Sequence, residues 1–366
     1  VKKYFLAIVL LTIGCNEEPV GFDELGRGKE PLTPVTVFAT DQGAYGDHIP
    51  LGGAEYLICG RDSIYEARML LQFGLSDSIA DSLDSLKLIL YDKAELTDTL
   101  LDFSVYLITQ SWNEYQATWQ LANSVTRWIK PGGDYDSVAI AHGRFGPEST
   151  VVDLFEARTK LADNEHYGIM IIPDNEGFAT AYSSYTSSKS PKLVFYQKKK
   201  SEQRLAPIQD SYFVDSRLGD IPEGRLWVGS GYGYRSYVRF DLDTLPALAR
   251  ITSAELVLWI TNIVTPIETL QLAVHKLTDE WDGKYTDYDL LPAVTKQFTK
   301  KDTMVVFDIR GIVQAWANDS TSNYGLLITF WPEYNAISRL ELGAASDSAR
   351  RPRLRGSSIA PPKPRF

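Results

Sequence analysis

Gly231-Tyr232-Gly233-Tyr234 places two tyrosines on a glycine-rich connection, and Trp331, Tyr334 and Asn335 follow an apolar run that ends at Phe330. Tyr182 and Tyr185, in the Ser-rich segment after Phe178, have the same character. Rings on loops beside hydrogen-bonding side chains suit ligand binding: a ring face packs on apolar C–H groups while polar neighbours fix hydrogen-bonding groups. Strand parity supplies a second set. Within 254–261, Leu256, Leu258 and Ile260 share one face, which leaves Glu255, Val257 and Trp259 on the other. The matching earlier run sets Lys87, Ile89 and Tyr91 outward, and 236–242 sets Tyr237, Arg239 and Asp241 outward. Trp259, Tyr237 and Arg239 would then share one polar-aromatic surface, with Tyr91 as the counterpart of Trp259. The alternatives are that a loop or the other half of the chain covers Tyr91 and Trp259, and that the loop tyrosines are ordinary rim residues.

Patterns for catalysis or metal binding are sparse. His48, His142, His166 and His275 stand apart, with no His-x-x-x-His and no cysteine pair of the kind that holds zinc. Neither a Gly-x-Ser-x-Gly elbow nor a phosphate-binding glycine loop is present. Carboxylates are plentiful, but a glycosidase needs two at a set separation across a cleft, which spacing along a chain does not provide. No catalytic residue and no cofactor is expected. Asp279, Glu280, Asp282, Asp287 and Asp289 form an acidic cluster in which Asp282, Asp287 and Asp289 are weak candidates for a structural Ca2+, without EF-hand spacing; a solvated loop is the competing reading. Trp112, Trp281 and Trp316, next to apolar strands, read as packing residues, and Cys59 as a small buried hydrophobe.

Short strands must position all of these. Segments of alternating hydrophobicity at 56–59, 68–75, 86–91, 103–109, 151–155, 167–172 and 192–196 are broken by Gly, Pro, Asp and Ser. A similar series follows at 225–228, 236–242, 254–261, 270–276, 303–309, 324–330 and 353–355. This spacing predicts an all-β antiparallel sandwich or barrel. The two series align in order: Phe73 with Phe240, 86–91 with 254–259, Trp112 with Trp281, Tyr167-Gly168 with Tyr324-Gly325, and Pro191 with Pro352. Ordered landmarks with drifting offsets indicate a duplicated unit with loop changes. Two domains follow, 35–197 and 207–355, joined by a polar linker at 198–206 and ending in a Pro-rich tail at 356–366.

The N-terminus and the charge bound the setting. Lys2 and Lys3 precede an apolar stretch over 4–13 that is too short to span a bilayer and fits a secretory signal. Leu11-Thr12-Ile13-Gly14-Cys15 resembles a bacterial lipobox, which implies a lipoprotein signal peptide over 1–15, lipid on Cys15 and a tether at 16–34; the alternative is an ordinary signal peptide with Cys15 an incidental residue. Asn16 favours the outer membrane or cell surface by analogy. The formal net charge of -10 argues against nucleic-acid binding, which needs a basic stripe. Contact with membrane is expected through the lipid anchor only.

The landmarks carry a further likeness. Phe240-Asp241-Leu242, Ser253 through Leu258, Trp112 through Trp119, Phe307 through Trp316, Asn323 through Leu327 and Arg350 through Leu354 resemble the DNRLRE-domain family, also described as carbohydrate-binding module family 96. The resemblance covers nearly the whole mature chain in two copies. It implies two tandem jelly-roll-like β-sandwiches, found in secreted bacterial proteins often beside carbohydrate-active enzymes and in some cases binding polysaccharides such as alginate. The expected function is a non-catalytic polysaccharide-binding lipoprotein of the cell envelope. The alternatives are a structural or adhesive spacer that binds an envelope protein partner, and a polysaccharide lyase or hydrolase.

Overall fold

Period-two alternation produces strands throughout the described residues, and the protein is mostly β, with antiparallel sheets that include a curled half-barrel. The computed structural model describes residues 32–360 except 164–165, 187, 198–199 and 247. The expected signal segment with Cys15, most of the tether expected at 16–34 and the end of the tail expected at 356–366 lie outside the described residues. Among those described, no helix is long and apolar enough to cross a membrane.

The first half contributes β1 (Thr33–His48), β2 (Tyr56–Arg61), β3 (Tyr65–Gln72), β4 (Leu83–Tyr91), β5 (Asp102–Leu107), β6 (Ala141–Arg144), β7 (Ser149–Asp153), β8 (Ile169–Pro173), β9 (Gly177–Tyr182), β10 (Lys192–Gln197) and β11 (Gln203–Leu205). The second contributes β12 (Gln209–Ser216), β13 (Leu226–Ser230), β14 (Tyr232–Phe240), β15 (Arg250–Val264), β16 (Thr269–Lys276), β17 (Val294–Thr299), β18 (Met304–Asp308), β19 (Leu326–Phe330), β20 (Ser338–Leu342) and β21 (Arg353–Ile359). Every segment expected from alternation overlaps one of these strands. The helices are short: α1 (Asp77–Ala80), α2 (Arg158–Ala162) and α3 (Arg310–Asn318).

Pairing repeats between the halves. In the first, β9 pairs with β2, β3 with β8, β8 with β5, β5 with β6, and β4 with both β7 and β10. In the second, β20 pairs with β13, β14 with β19, β19 with β16, β16 with β17, and β15 with both β18 and β21. The leading strands are exchanged. β1 lies against β14 and β21 of the second half, whereas β12 lies against β3 of the first. The polar segment around 198–206 is not a simple spacer, because β11 folds back on β10. Pairing therefore runs across the boundaries at 35–197 and 207–355. His48 of β1 lies 2.9 Å from Asp215 of β12, joining the two exchanged strands.

Two main cores result. Leu57, Leu88, Phe103 and Phe195 belong to one, and Phe240, Leu256, Leu258 and Phe307 to the other. Trp227 and Tyr234, although from the second half, pack into the first core, so part of the seam between halves is apolar. α3 starts where the Asp308 carboxylate accepts from the Arg310 N–H at 3.0 Å, and it buries Ile312, Val313 and Trp316 on one stripe over the second core. Trp112 is buried in a satellite cluster and donates from Nε1 to the Tyr167 carbonyl at 2.8 Å. Cys59 is buried, and desolvation pushes its thiol up.

Candidate functional site: a tyrosine cleft at the seam

β2 begins at Tyr56 and β9 ends at Tyr182, and the antiparallel register places them opposite each other. Their rings are tilted neighbours, 5.5 Å between centroids. Lys93 Nζ lies 4.7 Å over the Tyr56 ring and donates to its hydroxyl at 3.1 Å, while Lys189 Nζ lies 4.7 Å over the Tyr182 ring. Tyr185, 49% exposed, stands on the next turn. From the opposite side, the β19–β20 connection brings Pro332, Tyr334 and Asn335. These three line an open cleft of about 670 Å3 with Tyr56, Tyr182 and Tyr185 and with Gly53, Glu55 and Thr186.

The exchanged strand β12 holds both rims. Asp210 accepts from the Ser184 N–H and hydroxyl, each at 2.6 Å, which fixes the turn carrying Tyr185. Two residues on, the Tyr212 hydroxyl donates to the Tyr334 carbonyl at 2.7 Å. Side chains two apart project from the same face of a strand, so Asp210 and Tyr212, both buried, reach the two rims from beneath. Ser183 adds two anchors, from its N–H to the Glu55 carbonyl and from its hydroxyl to the Ala54 carbonyl.

Beneath the Tyr185 turn lies Glu114, only 9% exposed. Its backbone N–H donates to Gln209 Oε1 at 3.0 Å, and its chain packs so closely on Gly52 that a Cβ there would meet the Glu114 carbonyl. Burial pushes the Glu114 carboxyl up to about 7, aided by the Asp210 charge and opposed by the Tyr185 hydroxyl. Burial also raises Asp210, with the Ser184 bonds opposing it. The Tyr185 hydroxyl in turn hydrogen-bonds that of Tyr115. The carboxyl pair thus supports the rim from below, and Glu55 is the carboxylate lining the cleft itself.

Tyr182, Tyr185 and Tyr334, nominated by sequence, meet in this cleft. Trp331, 39% exposed, lies across Pro332 and lines a smaller hollow of about 180 Å3 that shares Pro332 and Asn335 with it. The other candidates sit elsewhere. Tyr232 packs edge-on against His48 and tilts on Tyr234, which is 1% exposed and hydrogen-bonded to Ser216 at 2.6 Å. Tyr237 has the expected parity but no open face: it is 1% exposed, stacked on Trp281 at 4.6 Å, and donates to Asp41. Trp281 is therefore a cover for β14. Arg239 lines a separate polar cleft of about 630 Å3 with Asp41, Asp241 and Asp243. Trp259 is half-buried, with the Arg353 guanidinium 5.6 Å from its ring centre, and Val257 beside it is fully buried. Tyr91 is half-buried at the end of β4, opposite Ser149. Asp289 pairs with Lys276 at 3.0 Å, and Asp282 and Asp287 are exposed; among the described residues no group of three or more His, Cys, Asp or Glu could hold a metal ion.

Tyr56, Glu55, Lys93 and Lys189 escaped the sequence reading. Their signal is a strand register linking residues far apart in the chain. No known protein-family model matches this chain, and no curated protein matches it.

Proposed function

We propose that the protein is a non-catalytic polysaccharide-binding protein whose glycan site is the tyrosine cleft. The observation that carries this reading is the convergence of Tyr56, Tyr182, Tyr185 and Tyr334 on one open cleft with Glu55 and Asn335. Phenol rings offer faces to pyranose C–H groups, and the exposed Glu55 carboxylate is an acceptor for a sugar hydroxyl. The finer fold reading, two jelly-roll-like sandwiches of the DNRLRE type, belongs to the same proposal and draws support from the repeated pairing scheme. So does the setting: export, lipid on Cys15, and display at the bacterial outer membrane or cell surface.

The test is retention of the full chain on a panel of immobilised polysaccharides. Retention on at least one polymer, weakened roughly 2- to 12-fold by Tyr182→Ala, supports the reading, since one stacked ring contributes about 0.5–1.5 kcal/mol. Trp259→Ala, outside the cleft, should leave retention unchanged. No retention on any polymer would overturn it, and release of cleaved product would move the reading to a lyase or hydrolase.

The spacer alternative has its own observation. Tyr285, Leu290 and Leu291 are all more than three-quarters exposed on the connection between β16 and β17, and apolar groups clustered there suit a protein partner. Co-purification of a defined envelope protein, lost on Leu290→Asp with Leu291→Asp, would favour it.

A further inference from the structure

A second cavity lies at the seam, away from the tyrosine cleft. It measures about 240 Å3 and is walled by Ile58, Ile64, Leu96 and Phe178 of the first half and by Val264 and Ile337 of the second. Two polar side chains on its wall are left with unused donors. Tyr65 is 5% exposed; the Arg339 guanidinium bears on its hydroxyl oxygen without a hydrogen bond of full geometry, and the hydroxyl's own proton has no acceptor among the described residues. Arg339 is nearly as buried, with Nε and Nη1 unpartnered. Its one ion pair, Nη2 to Glu341, is long at 3.5 Å, and its guanidinium otherwise lies 4.9 Å over the Trp227 ring.

Such a residue is costly to leave as it stands. A buried guanidinium with two unused donors loses hydration that a loose ion pair does not replace. Asp62, the carboxylate on this wall, accepts from the N–H groups of Ile64 and Tyr65 at 2.7 and 2.6 Å and forms no ion pair with Arg339 among the described residues. Thr265, also on the wall, is taken by the Ser338 hydroxyl at 2.8 Å. Burial pushes the Tyr65 phenol up, with Tyr234 adding and Arg339 opposing, so at neutral pH the hydroxyl remains a donor. The unmet need is therefore for acceptor oxygens bearing negative charge, attached to an apolar body.

We propose that the seam cavity is a binding site for a small amphiphilic carboxylate, with its carboxylate against Arg339 and Tyr65 and its apolar body against Ile58, Leu96, Phe178 and Ile337. The cavity falls below the ~300–1,000 Å3 of pockets that take drug-sized ligands, which restricts the occupant to a short chain or a single ring. Both halves supply walls, so the occupant would also bridge them.

Isothermal titration calorimetry of the full chain with sodium octanoate tests the proposal, with octan-1-ol as the uncharged control. Saturable one-to-one binding of octanoate is expected, at least about tenfold tighter than octanol and weakened about tenfold or more in Arg339→Met, as befits a lost charge-assisted contact. Ile337→Trp, which fills the cavity and keeps Arg339, should abolish binding while circular dichroism and the thermal transition stay unchanged; this variant decides the matter if Arg339→Met does not fold. Absence of saturable heat at millimolar octanoate, equal binding of octanol, or undiminished binding in Ile337→Trp would overturn the proposal.

Discussion

Replacing Glu114 by Gln should stabilise the protein above neutral pH and leave it nearly unchanged in acid. Glu114 is buried beside Asp210, and its carboxyl moves from 4.5 to about 7. The folded protein therefore keeps a proton that the unfolded chain has already released. Its contribution to stability is fully present below about pH 4.5 and is lost as pH rises through about 7. At ~1.36 kcal/mol per tenfold change in proton affinity, the whole displacement corresponds to about 3 kcal/mol. Solvent in the adjoining cleft screens part of it, so an effect of about 1–3 kcal/mol is expected. Gln reproduces the shape and neutrality of the protonated acid but does not titrate. Urea unfolding of both proteins should give matching stabilities at about pH 4 and a gap in favour of Glu114→Gln at about pH 8. Asp92, which burial raises to about 6, titrates in both proteins and cancels in the comparison. A gap of the same size at both pH values, or one that favours the native Glu at about pH 8, would refute the reasoning.

Three other outcomes follow from the packing around the cleft. Gly52→Ala places a Cβ against the Glu114 carbonyl and should cost about 1–3 kcal/mol in chemical unfolding, as overpacking does. Tyr212→Phe leaves the Tyr334 carbonyl without its donor; a loss of about 1 kcal/mol is expected in the same assay, with weaker glycan retention because one rim is freed. Cys59 should resist a thiol reagent in the native protein and react once urea unfolds it, because burial both hides the sulfur and disfavours the thiolate.

Alternation made the strands legible. Leu256 and Leu258 face the core as their spacing requires, and the rise from Phe307 through Trp316 becomes a strand followed by a helix that buries Ile312, Val313 and Trp316. Alternation assigns a face to a residue but not a neighbour to a strand. The exchange of β1 and β12 is set by which distant edges their hydrogen bonds complete, a choice that no local pattern records. The site shows the same division. Tyr237 faces away from the core as expected, yet Trp281 covers it. Tyr56, an unremarked strand-opening residue, becomes central because the β2–β9 register sets it against Tyr182. Of the rings expected on connections, Tyr185 and Tyr334 do lie on them and line one cleft with Tyr182 at the end of β9, whereas Tyr232 and Tyr234 belong to β14 because the glycine-rich segment pairs as a strand.

The claim that the tyrosine cleft holds polysaccharide is tested most directly by measuring affinity for whichever polymer of the panel retains the protein, in the native chain and in Tyr182→Ala, with an unchanged thermal transition as the control for folding. The account predicts roughly 2- to 12-fold weaker binding in the variant. Equal affinity in the two proteins, or no polymer bound by either, would contradict it.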